Sequence, residues 1–211
     1  ECGAGEVEWV STSLGVTLCP DCAISHRKLG SNISRLRSIY MDLWCEELVS
    51  CMVDSMGNQQ ANAIWETSVP QGWTKPTDTS SAKLKEQWVT AKYKWFGFVD
   101  EARVTQEETS DQLGEAAGLG DTAQVMWCLA HKANINAASN SSTDKSKKSA
   151  LHRACEGGHV NTVLVLMQNG ADLFQKDFNG RTPLDLTTQT RPANYETIEK
   201  LLTMKEQGEL L

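Results

Sequence analysis

Residues 19–30 read CPDCAISHRKLG. Cys19 and Cys22 stand with two residues between them, the spacing at which two thiolates grip one tetrahedral ion from a tight turn. Pro20 and Asp21 suit the first turn of a helix, and Gly30 suits its C-terminal end. The stretch therefore predicts a short helix that starts from a metal knuckle and carries His26 and Arg27.

Working outward, Cys2 is separated from Cys19 by sixteen intervening residues. A four-cysteine zinc module of the form CxxC-x16-CxxC would place its remaining cysteine two positions before Glu1, so an N-terminally truncated module is expected. Three cysteines at unrelated positions are the plainer reading, and His26, with three residues between it and Cys22, is an alternative fourth ligand. Of the seven cysteines, Cys45, Cys51, Cys128 and Cys155 fall in apolar helical patterns and read as small core side chains. That usage fits a reduced compartment and a metal site better than a disulfide framework.

The 211 residues suffice for one large or two small domains, and 40% hydrophobic with 22% charged residues fits a soluble globular chain. No apolar stretch is long enough to cross a bilayer, and no signal-peptide pattern is present. A net charge of −7 argues against nucleic acid as partner. Trp44, Leu48, Met52 and Met56 form one helical apolar stripe, and Leu84, Trp88, Ala91 and Trp95 another. Residues 69–82, with two prolines, read as a loop between them.

The run from Cys2 to Asp42 resembles the zinc-binding core of Arf GTPase-activating proteins. It shares the x16 cysteine spacing, Trp9, Leu14-Gly15-Val16, CxxC-xxx-HR-x-LG, Ser34-x-x-Arg37-Ser38 and Met41-Asp42-x-Trp44. Gly57-Asn58-x-x-Ala61-Asn62-x-x-Trp65-Glu66 and Trp88-x-x-x-Lys92-Tyr93 continue the likeness to about residue 100. The resemblance implies zinc at Cys2, Cys19 and Cys22, and an arginine finger at Arg27. It also implies a GTPase-facing surface at Trp9, Met41 and Asp42. Met41 stands where Leu is more usual, Pro20 where Ile is common and Asn32 where His is common. Packing over the metal module is a second role open to Trp9, and capping of the helix near Trp44 a second role for Asp42.

Past residue 110 a repeat appears. Leu113, Leu151 and Leu184 begin equivalent helical stretches, 38 and 33 residues apart. The longer step fits a loop at residues 139–148, SNSSTDKSKK. Ser149-Ala150-Leu151-His152-x-Ala154 and Arg181-Thr182-Pro183-Leu184-Asp185 resemble the TPLHxA signature of ankyrin repeats.

The expected fold is mainly α. A small four-cysteine zinc-binding α/β module with helical surround spans 1–100, a linker 101–110, and an ankyrin-repeat α solenoid of about three repeats 111–204. By resemblance, the function is stimulation of GTP hydrolysis by a GTP-bound Arf-family GTPase, with the ankyrin repeats binding a further protein. No P-loop is present, so any catalysis occurs only in the partner's site. The chain is expected in the cytoplasm, peripheral to membranes through regions outside this sequence. The alternative is a non-catalytic ankyrin scaffold with a structural zinc module.

Overall fold

The computed structural model describes residues 1–100, 104–138 and 144–208. The chain forms two compact units, Glu1–Ala102 and Arg103–Leu211.

The first unit opens with a small antiparallel sheet of β1 (Trp9–Ser11), β2 (Val16–Leu18) and β3 (Leu36–Ser38), in the order β2-β1-β3. Trp9 pairs with Leu18 on one side and Ser38 on the other. Gly15 turns the chain between β1 and β2 at φ +70°, where a Cβ would stand 2.7 Å from the Met56 methyl carbon. On the outer edge of β2, Asn58 accepts from Thr17 N at 2.8 Å and donates to the Thr17 carbonyl at 3.2 Å. Helix α1 (Pro20–Arg27) follows directly, then α2 (Glu46–Asp54), α3 (Asn58–Trp65) and α4 (Ala82–Val89), which packs on α1.

Beyond α4 the helix widens into a π turn, Thr90–Lys94, closed by Trp95 N on the Thr90 carbonyl at 3.1 Å. A π turn takes one residue more per hydrogen bond than an α turn, so it shifts the phase of everything after it. Ala91, Lys92 and Tyr93 are consequently all buried in succession. The stripe Leu84-Trp88-Ala91-Trp95 holds as far as Ala91; Trp95 is thrown outward and is 64% exposed. The first stripe behaves as expected at Leu48, while Met56 is buried outside α2, against Gly15.

The second unit stacks helix pairs: α5 (Gln106–Leu119) with α6 (Thr122–Ala130), α7 (Ala150–Gly157) with α8 (Val160–Gln168), and α9 (Pro183–Thr190) with α10 (Tyr195–Glu206). Helices α5, α7 and α9 pack in one layer and α6, α8 and α10 in the other. The first helix of each pair starts with the same device, a reciprocal capping box: Thr105 with Glu108, Ser149 with His152, Thr182 with Asp185. Here the linker reading of 101–110 meets a difference. The polar run from Gln106 to Ser110 is already helix, because Thr105 caps it and Glu107 and Glu108 complement its positive end. Residues 101–103 of that linker, and 139–143 of the expected inserted loop, lie outside the described residues. Among the described residues no helix is long and apolar enough to cross a membrane.

Candidate functional site

The site is built on α1. Cys19 is its N-cap, in extended conformation, and Cys22 lies in its first turn. Cys2 arrives from the chain start, and the three sulfur atoms lie within 4.8 Å of one another, with Cys2 and Cys19 Sγ 3.6 Å apart. Thiolates around one zinc at about 2.3 Å stand roughly 3.8 Å from each other, so the three fit three corners of a tetrahedron. All three are buried. Burial pushes the Cys22 thiol above its usual range, and crowding by Cys2 and Cys19 adds to the shift. A dication among them reverses that preference, since it stabilises the thiolates that crowding disfavours.

His26 does not join this cluster. Its Nδ1 meets Ser34 Oγ at 2.9 Å, Ser34 in turn meets Ser11, and its Nε2 faces Glu1 Oε1 at 3.8 Å. His26 packs on Tyr93, with ring centroids 5.2 Å apart. Around it lies a buried polar network that sequence reading did not assign. Lys92 Nζ donates to Asn62 Oδ1 at 2.7 Å and Glu66 Oε1 at 2.6 Å, and pairs with Glu1 Oε2 at 3.2 Å; Tyr93 also donates to Glu1. Burial alone would raise the Glu1 carboxyl, but the Lys92 ammonium holds it well below the usual carboxylate range. The only sequence signal was the presence of Asn62, Glu66, Lys92 and Tyr93 in the motifs quoted above.

Two further ties fix α1. Lys85, buried on α4, donates to Asp21 at 2.8 Å and to the Asp78 carbonyl at 2.9 Å, and Lys28 pairs with Glu86 at 2.6 Å. The helix is therefore held at both ends, with its inner face, Cys22, Ala23, Ser25 and His26, buried. Arg27 is its last residue and is exposed, its guanidinium carbon 4.4 Å from the Trp9 ring centroid. The indole face steadies the cation without neutralising it.

Trp9 stands opposite Ser38 in the sheet, and Ile39 N donates to the Glu8 carbonyl, so the loop leaving β3 starts beside Trp9. Asp42 accepts from Ser38 N at 2.5 Å, and Ser38 Oγ accepts from Met41 N at 3.1 Å. Asp42 thus clips this loop rather than capping α2, whose N-cap is Cys45. The clip holds Met41 76% and Leu43 92% exposed, with Tyr40 between sheet and tip exposed as well. Ile24 on α1 and Val49 and Val53 on α2 are further exposed apolar side chains of this unit. Sequence reading missed them; Val49 and Val53, one turn apart, form a second apolar pair on the face of α2 away from Leu48 and Cys51.

A domain with a buried three-cysteine cluster and a clamped, exposed arginine, followed by an ankyrin solenoid, is the class these two units define. Residues 1–102 match the family described as putative GTPase activating protein for Arf, and residues 113–209 match ankyrin repeats in three copies. The chain thus carries an ArfGap domain followed by ankyrin repeats. Over 96% of its length it is 29% identical to ARF GTPase-activating protein GIT1 of Homo sapiens, and likewise to ARF GTPase-activating protein Git of Drosophila melanogaster. Over 44% of its length it is 38% identical to ADP-ribosylation factor GTPase-activating protein AGD12 of Arabidopsis thaliana. The chain covers 27%, 30% and 28% of these relatives, so it spans under a third of their length.

Proposed function

We propose that the chain stimulates GTP hydrolysis by an Arf-type small GTPase, with Arg27 supplied in trans and Cys2, Cys19 and Cys22 holding a structural zinc ion. The observation that carries this reading is Arg27 itself: exposed, at the end of a helix fixed at both ends, and seated on Trp9. The ArfGap match and the names of the relatives point to the partner class.

Phosphoryl transfer to water spreads charge over the transferring group and the leaving oxygen, and a GTPase alone is poor in cations there. A guanidinium stays charged and forks to two oxygens, which an ammonium cannot copy. Because α1 is already ordered, little orientational freedom is lost when the arginine enters the partner's site. Bound zinc would contribute no chemistry to the reaction; it would fix the start of α1 and hence the aim of Arg27. Met41, Asp42 and the apolar tip beside them supply the surface that the partner would cover, with Trp9 shared between support of Arg27 and contact. On this reading the chain works in the cytoplasm, peripheral to membranes, and its ankyrin unit binds another protein. A scaffold without activity has no use for an arginine clamped in this way.

The test is single-turnover GTP hydrolysis by an Arf protein with the chain present. Arg27→Lys should lower the stimulation by about 10² or more, with circular dichroism unchanged. Equal stimulation by parent and variant would remove Arg27 from the role.

A further inference from the structure

Strand β3 has β1 on one side only, so its other edge is open. The chain that follows folds back to fill that edge at Ser38. The Asp42 carboxylate accepts from Ser38 N at 2.5 Å, and Trp44 Nε1 donates to the Ser38 carbonyl at 3.0 Å. Beside them, the Arg37 guanidinium donates to the Leu43 carbonyl and stands over the Trp44 ring, 5.7 Å from its centroid. Three successive residues, Asp42, Leu43 and Trp44, are therefore tied to the last two residues of β3.

Within those ties the loop is drawn in from its own backbone. Tyr40 N and Met41 N both donate to Ser38 Oγ, at 3.3 and 3.1 Å. The holds all point toward β3, and the side chains of Tyr40, Met41 and Leu43 are left outside. Apolar side chains on a loose loop gain by folding inward, so keeping them out requires a frame. Arg37 belongs to that frame: it is half-buried and engaged, whereas Arg27 is exposed.

We propose that Arg37, acting through the Leu43 carbonyl and Trp44, is a positioning residue for binding of the GTPase. It keeps residues 39–43 as a preformed apolar knob that enters an apolar hollow on the partner. The inference rests on the GTPase-activating role proposed above. Ordering a loop on association weakens binding, and a loop ordered beforehand avoids most of that loss. The knob touches no reacting phosphate, so losing its shape weakens binding without slowing the chemical step.

The test is single-turnover hydrolysis by an Arf protein loaded with GTP, over a range of concentrations of the whole chain. Arg37→Met should raise the half-saturating concentration about ten-fold or more and leave the maximal rate as in the parent. Arg37→Lys keeps a donor and a cation over the indole, and should recover most of the lost affinity. The same exchange at Arg27 should do the reverse, lowering the maximal rate at unchanged half-saturation. Circular dichroism checks the fold of each variant. If Arg37→Met disturbs it, Trp44→Phe, which keeps a ring but loses the Nε1 donor, takes its place under the same criterion. A parent that stimulates hydrolysis, with a variant that saturates at the same concentration, would overturn this inference alone. So would a fall in maximal rate, which would put Arg37 at the reacting phosphates. A parent without stimulation would defeat the functional reading, and this inference with it.

Discussion

Glu1, His26, Lys85 and Lys92 are buried in the ArfGap unit, whereas the ankyrin unit buries Val163, Leu164, Val165, Leu166 and Met167 without a break. The difference follows from architecture. Helix α8 lies between α6 and α10 and above α7, so nearly every face of it is covered, and an all-round apolar helix is the stable solution. The ArfGap unit has three-residue strands and helices of eight or nine residues, too short to close a core by apolar contact alone. It relies instead on point ties: three cysteines clustered within 4.8 Å, a lysine shared by two carboxylates, and an acid-base pair between α1 and α4. Such ties are costly when half-made, so the first unit should fail abruptly on loss of one partner. The repeat array should lose stability in smaller steps.

Metal removal should break the comparison most visibly. Six of the seven tryptophans lie in the first unit, so indole fluorescence reports on it while helical circular dichroism reports largely on the second. We expect one zinc per chain by elemental analysis. Chelation should red-shift the fluorescence and leave most ellipticity at 222 nm, since structural zinc supplies on the order of 10 kcal/mol of folding energy. Loss of both signals together, or of neither, would contradict the assignment of the metal to one unit.

Next in size is Lys92→Met. It removes the cation that Glu1 and Glu66 share and leaves a buried carboxylate unpaired, which costs about 3–5 kcal/mol. The fluorescence-detected urea midpoint should fall accordingly, and the ellipticity transition of the ankyrin unit should not. A cost below about 1 kcal/mol would mean that the network is solvated in solution.

The smallest effect is acid sensitivity of the ankyrin unit. His152 Nε2 is placed to donate to the Arg181 carbonyl at 3.0 Å, while Nδ1 accepts from Ser149 N, an arrangement that needs the neutral ring. Burial holds its pKa below the ordinary histidine value. A folded-state pKa below the unfolded one means stability present above about pH 6.5 and lost as pH falls through that value toward the folded pKa. Burial would raise Asp177, but Arg181 and two backbone N–H groups hold it low, adding a second loss below about pH 4. Melting of the 222 nm signal from pH 7.5 down to 3 should show the two-stage decline, and His152→Gln should remove the first stage.

The sequence made the knuckle, the first turn of α1 and the repeat legible because each depends on local chemistry at fixed spacing. Cys19-x-x-Cys22, Pro20, and the Ser149 and Thr182 caps are of this kind. Thr105 was equally local, but its polar neighbours read as linker by composition, which is blind to a capping box. Trp95 was misplaced because a period of 3.6 cannot foresee a π turn. Lys92 could not be read as buried, since its burial depends on carboxylates 26 and 91 positions away in sequence. Arg27 was nominated by resemblance, and its seat on Trp9 depends on a sheet register that no local pattern displays.

One small feature of the first unit bears on the behaviour of the protein in concentrated solution. A three-stranded sheet ordinarily offers raw edges to other chains, and β-aggregation starts from such edges. Along β2, the side chain of Asn58 meets both the N–H and the C=O of Thr17, imitating a neighbouring strand with a single carboxamide. A foreign strand approaching there finds the middle of the three-residue edge already taken. The asparagine that begins α3 thus serves as a guard against self-association as well as a tie between helix and sheet.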